Sequence, residues 1–112
     1  MKKALFSLVI LFVSVFCAVT VYANDYTVSI EVCHADETGK FDDATMESLE
    51  KLVAWLCETF DLDPDADVIR HYDVTGKICP KYYVENEDAW LAFRQNVSAR
   101  IEEDKTANSE TN

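Results

Sequence analysis

The sequence predicts an α/β fold in which two amphipathic helices pack on a small β-sheet. Residues 26–33 alternate polar and apolar side chains and are rich in β-branched types, which is the pattern of a half-buried strand. Two later stretches repeat apolar residues at the spacing that places them on one face of a helix. With 112 residues, the chain is long enough for one small domain.

The first 23 residues have the form of a secretory signal peptide. A lysine pair precedes a run of apolar residues, and the residues before Asn24 suit a cleavage site. The run is long for a signal peptide, so an N-terminal anchor is the alternative. We therefore expect a signal peptide over residues 1–23, a folded domain over 24–103 and a disordered tail over 104–112. The protein would be secreted or held in the cell envelope, with no stable membrane span once the signal is cleaved.

The charge and the cysteine content of the chain limit its possible binding partners and its possible disulfide bonds. Ten basic and 21 acidic residues give a net charge of −11, which disfavours nucleic acid and anionic membrane surfaces as partners. Three cysteines follow the predicted signal, namely Cys33, Cys57 and Cys79, and an odd number leaves at least one thiol unpaired. A disulfide between Cys33 and Cys57 is possible, but two free buried thiols are the expected state.

Both helices are predicted from their apolar stripes. The first helix runs from about residue 44 to 60, with Asp43 as a plausible N-cap. Its stripe comprises Met46, Leu49, Leu52, Val53, Leu56 and Phe60. The second helix follows Asn86, and its buried face comprises Trp90, Phe93, Val97 and Ile101. Between them, the aromatic residues 81–84 are predicted to be extended.

Residues 68–80, V-I-R-H-Y-D-V-T-G-K-I-C-P, carry most of the candidate chemistry. The imidazole of His71 and the thiolate of Cys79 are both good zinc ligands. Gly76 permits a sharp turn between them, and Lys77 carries a cation of the kind that stabilises an oxyanion. Spacing alone is a weak signal, because a catalytic zinc site usually has three protein ligands. A strand with a surface histidine, followed by a turn with a buried cysteine, fits the same residues.

The same stretch resembles the C-terminal zinc motif of the type 2 N-acetylmuramoyl-L-alanine amidases, a family related to the peptidoglycan recognition proteins. The resemblance implies zinc-dependent hydrolysis of the amide between muramic acid and the L-alanine of the peptidoglycan stem peptide. It implies that His71 and Cys79 are zinc ligands and that Lys77 supports catalysis. The strand that contains Glu31 resembles the family's S-I-G-I-E, which implies that Glu31 acts as a general base or orients the attacking water. Ser29 stands where the family usually has glycine.

The resemblance covers roughly residues 27–101 and implies a partial amidase-type fold without the family's N-terminal strands. The family's first zinc ligand is a histidine on an earlier strand, and no histidine precedes Glu31 here. Two alternatives therefore stand beside an active amidase. One is a non-catalytic remnant that binds peptidoglycan, and the other is a partner that completes its sheet on another chain, giving a homo- or hetero-oligomer through a sheet edge.

Two further polar residues, Asp73 within the motif and His34 before it, each have two possible roles. Asp73 either forms a turn or holds the ring of His71 in its ligating tautomer, as carboxylates do beside metal ligands. His34 is either a loop residue or a further zinc ligand. The predicted site thus comprises His71 and Cys79 for the metal and Lys77 and Glu31 for catalysis.

Overall fold

The computed structural model describes residues 26–110, which contain four helices. Helix α1 spans Asp43–Phe60, α2 spans His71–Thr75, α3 spans Lys81–Glu85 and α4 spans Glu87–Glu110. The chain divides into two units at residue 32, and all four helices belong to the second unit. The predicted signal peptide or anchor lies outside the described residues.

The predicted β-sheet is wrong for the part of the chain that the structure describes. Residues 27–33 have no regular secondary structure, and no strand occurs anywhere between residues 26 and 110. Alternation indicates which faces a strand would present, but a sheet also needs a partner strand to complete its hydrogen bonds. The side chains of Tyr26 and Val28 remain 74% and 66% exposed. The described range therefore contains no sheet edge of the kind predicted to recruit another chain.

The residues predicted to be extended after the motif form helix α3 instead. Pro80 precedes this helix, and its carbonyl oxygen accepts hydrogen bonds from the backbone N–H groups of Tyr83 and Val84. Tyr83 is buried, and its ring lies 4.9 Å from that of Phe41. Aromatic and β-branched residues favour strands only where a sheet surface receives them, so packing decides the conformation here.

Helices α1 and α4 form the core through one face each. The face predicted for α4 is confirmed, because Trp90, Phe93, Val97 and Ile101 are all buried. The face predicted for α1 is partly wrong. Its buried residues are Glu50, Val53, Ala54 and Cys57, whereas Leu52 and Phe60 are 43% and 57% exposed. The buried face of α1 thus comprises smaller apolar residues and one carboxylate in place of the bulkiest apolar side chains.

The N-terminus of α1 follows the ordinary capping rule. The side chain of Asp42, not that of Asp43, caps α1 by accepting a hydrogen bond from the backbone N–H of Thr45 at 2.7 Å. Helix α4 continues through residues 104–110, for which the sequence predicts a disordered tail. Within the described residues, no helix is long and apolar enough to span a bilayer.

Candidate metal and catalytic site

The motif folds back on itself, so that the backbone of Cys79 lies beside the start of α2, next to His71. His71 is the first residue of α2, and Gly76 ends that helix with a positive φ of 77°. Beyond the turn, the backbone N–H of Tyr72 donates to the carbonyl oxygen of Cys79 at 3.0 Å. Because Tyr72 follows His71 directly, this hydrogen bond places Cys79 beside the first turn of α2.

The side chains proposed for chemistry are accessible. His71 and Lys77 are exposed and Cys79 is half-buried, and none of the residues of α2 is buried. The local backbone is compact nonetheless, since the N–H of Cys79 also donates to the carbonyl oxygen of Lys77 at 2.7 Å. A ligand or substrate can therefore reach this loop from solvent.

Arg70 connects the loop to the rest of the helical unit. Its side chain is only 9% exposed. The guanidinium donates from Nε and Nη2 to Asp73, and from Nη1 both to the carbonyl oxygen of Tyr83 and to the carboxylate of Glu87. The guanidinium carbon also lies 5.2 Å from the ring centroid of Trp90, on α4.

The carboxylate of Asp73 belongs to this Arg70 network. Asp73 accepts from the backbone N–H of Arg70 at 2.8 Å as well as from its side chain. These hydrogen bonds hold the pKa of the Asp73 carboxyl below its usual value and raise the pKa of the Arg70 guanidinium. Both oxygens of Asp73 thus bond to Arg70, which favours the turn-forming assignment over a role in holding the ring of His71.

Arg70 was missed by sequence reasoning. The signal in the sequence was an Arg and an Asp three residues apart, the spacing of a side-chain pair on one helical turn. The sequence gives no local sign that Tyr83 and Glu87 accept hydrogen bonds from Arg70, because their distance from Arg70 depends on how α3 and α4 pack.

The donor types of the motif fit zinc, but the described residues do not supply a complete set. Imidazole and thiolate are the donors that zinc prefers. No group of three His, Cys, Asp or Glu side chains suited to a metal occurs between residues 26 and 110. The other histidine, His34, pairs its Nδ1 with the carbonyl oxygen of Asp36 at 2.7 Å. Glu31 is exposed and belongs to the first unit of the chain.

Comparison with known proteins shows the family to which this chain belongs. The sequence model of the family described as N-acetylmuramoyl-L-alanine amidase matches residues 13–82. The chain belongs to the N-acetylmuramoyl-L-alanine amidase family. The matched range includes the whole loop around His71 and Cys79 and ends within α3. The resemblance inferred from the motif is therefore confirmed at the level of the family.

Curated amidases show the same relationship. The chain is 37% identical over 79 residues to the N-acetylmuramoyl-L-alanine amidase BlyA of Bacillus subtilis (strain 168), covering 70% of this chain and 21% of that protein. It is 34% identical to the amidase CwlL of Bacillus licheniformis, again over 70% of this chain and 21% of the relative. A probable N-acetylmuramoyl-L-alanine amidase of Bacillus licheniformis is 36% identical, with coverage of 70% and 22%. The chain thus spans about a fifth of the length of these relatives. No solved structure matches it significantly.

Proposed function

We propose that this amidase-family chain acts on peptidoglycan by zinc-dependent hydrolysis of the amide between muramic acid and L-alanine, with His71 and Cys79 as zinc ligands. The observation that supports this most directly is the hydrogen bond from the backbone N–H of Tyr72 to the carbonyl oxygen of Cys79, which places the backbone of Cys79 next to that of His71 within the family-matched loop. A catalytic zinc site would need a third protein ligand besides these two.

The other predicted residues have roles that suit amide hydrolysis. Zinc in such sites polarises a carbonyl and activates water. The ammonium group of Lys77, exposed in the same loop, would stabilise negative charge on the carbonyl oxygen of the substrate. Glu31, also exposed, would accept a proton from water as a general base.

The proposed setting is the cell envelope or the medium outside it. This follows from the substrate, since stem peptides attached to muramic acid lie in the wall, and from the signal-like N-terminal segment. Cleavage of that segment would release the protein, whereas retention would anchor it at the membrane that faces its substrate.

A wall-hydrolysis assay on the full chain tests the proposal. Purified cell walls are incubated with the wild-type chain, His71→Ala, Cys79→Ser and Lys77→Ala, and new amino termini of stem peptides are counted. We expect release by wild type and by the control His34→Ala, and loss of release with each motif variant. Release that persists in His71→Ala and Cys79→Ser would rule out the proposed site.

The incomplete donor set favours one second candidate, a wall-binding protein without catalysis. It predicts sedimentation of the wild-type chain with cell walls, no release of stem peptides, and binding that survives Cys79→Ser. The same incubations distinguish the two functions, because the pellet reports binding and the supernatant reports hydrolysis.

A further inference from the structure

We propose that Arg70 is the positioning residue of this site, which holds the loop carrying His71 and Cys79 in place against α3 and α4. This inference rests on the proposed function for its metal readout. It goes beyond that function because it assigns a role to a residue that is neither a proposed zinc ligand nor a proposed catalytic group.

The loop needs such an attachment because it has no core of its own. No residue of α2 is buried, and the apolar side chains of Ile69, Val74 and Ile78 are 51%, 43% and 53% exposed. Apolar burial, which holds α1 to α4, therefore contributes little to the placement of α2. Polar contacts must therefore hold most of α2 and the following turn in place.

Arg70 makes those contacts in two directions at once. Toward the loop, its backbone N–H and its side chain bond to Asp73, in the first turn of α2. Toward the helical unit, Nη1 bonds to the carbonyl oxygen of Tyr83 at 2.9 Å and to Glu87 at 2.8 Å. Since Arg70 immediately precedes His71, any change in its position is transmitted directly to the backbone of His71.

Two neighbouring aromatic rings restrict the guanidinium further. Its central carbon lies 5.5 Å from the ring centroid of Tyr72 and 5.2 Å from that of Trp90. Trp90 is itself buried in the core and stacks on Phe93, with their ring centroids 5.5 Å apart. The planar fork of arginine can bond to Asp73, Glu87 and a carbonyl oxygen together, whereas the ammonium group of a lysine cannot reproduce this geometry.

The test compares Arg70→Lys with Arg100→Lys in the full chain. Arg100 is a matched control because it also pairs with a carboxylate, Glu50, through Nε and Nη2, but links α4 to α1 away from the motif. Glu87→Gln is a milder variant that weakens one contact of Arg70 and keeps the others. The readouts are Co²⁺ affinity, followed by thiolate-to-metal absorption, and hydrogen exchange at the amide of Tyr72.

We expect Arg70→Lys to weaken Co²⁺ binding by about tenfold or more, as loss of a residue that supports metal ligands does. We also expect it to accelerate exchange at the amide of Tyr72. Glu87→Gln should shift both readouts in the same direction by less, and Arg100→Lys should leave both near wild type. Equal effects of the two Arg→Lys changes, or unchanged exchange at Tyr72 in Arg70→Lys, would overturn the inference. If the wild-type chain binds no Co²⁺, the proposed zinc site fails, and exchange at Tyr72 alone decides the role of Arg70.

Discussion

The backbone N–H of Tyr72 and the carbonyl oxygen of Cys79 are joined by a 3.0 Å hydrogen bond. This bond closes the loop that begins at α2, and it places the backbone of Cys79 beside that of His71 although the two residues are eight apart in sequence. The loop turns at Gly76, whose N–H donates to the carbonyl oxygen of Tyr72 at 2.8 Å. The geometry of the candidate site thus depends on backbone conformation as much as on side chains.

The two glycines of the described residues should differ in their tolerance of alanine. Both have positive φ, 77° at Gly76 and 74° at Gly39. A Cβ at Gly76 meets no atom within 4 Å, so Gly76→Ala should cost only the backbone term of about 1–2 kcal/mol. At Gly39 a Cβ would lie 3.2 Å from the Cβ of Lys81, which adds a steric penalty. Urea unfolding of both variants measures the difference, and equal losses would contradict this description of the two turns.

A partly buried charged network between α1 and α4 gives a second prediction. The carboxylate of Glu50 accepts from Asn96 at 2.9 Å and pairs with Arg100 at 2.8 Å. Glu50→Ala leaves Arg100, whose side chain is 29% exposed, without its partner, and we expect a loss of about 1–3 kcal/mol in the free energy of unfolding. The control is Glu47→Ala, one turn earlier on α1, which breaks an exposed pair with Lys51 and should cause no measurable loss. Similar unfolding midpoints for the two variants would show that the network is not important for stability.

Acid should weaken the Arg70 network through Asp73. Hydrogen bonds from Arg70 lower the pKa of Asp73 in the folded protein, so its ionised form stabilises the fold at pH values above the usual carboxyl pKa. That contribution is lost as the pH falls below this value toward the folded pKa. We expect Asp73→Asn to be less stable than wild type at neutral pH and the difference to shrink on acidification. Thermal unfolding from pH 7 down to pH 3 measures it, and a constant difference would contradict the assignment.

The thiols should react with an alkylating agent in the order of their exposure. All three described cysteines are free: Cys33 is exposed, Cys79 is half-buried and Cys57 is buried. Burial also raises the pKa of the Cys57 thiol, which lowers the fraction of reactive thiolate. Mass spectrometry of the native chain after timed exposure to iodoacetamide should show modification of Cys33 first and Cys57 last. Early modification of Cys57 would mean that the contact between α1 and α4 opens readily.

Features encoded by local spacing were predictable, and features that depend on distant partners were not. The buried face of α4 follows from the spacing of Trp90, Phe93, Val97 and Ile101, and the motif identified the family. The sheet failed as a prediction because residues 26–33 show a strand pattern but do not specify a partner. The face of α1 was misassigned because Ala54 and Cys57, which are buried, are smaller than Leu52 and Phe60, which dominate the apolar pattern of the sequence. The role of Arg70 was not predicted, because Glu87 contacts this residue only once α4 has packed.

The same distinction applies to the candidate site. The identity of the donors could be inferred from the sequence, and the structure adds that the backbones of Tyr72 and Cys79 meet. The number of ligands depends on the tertiary structure, and the described residues provide no third donor that would form a metal site with His71 and Cys79. The role of zinc consequently depends on a direct measurement.

That measurement is the zinc content of the purified full chain after equilibration with zinc and removal of the excess, determined by mass spectrometry of the metal. His71→Ala and Cys79→Ser are measured beside it, with His34→Ala as the matched histidine control. The account predicts bound zinc in wild type and His34→Ala and its loss in the other two variants. Zinc absent from the wild-type chain, or retained in His71→Ala and Cys79→Ser, would contradict it.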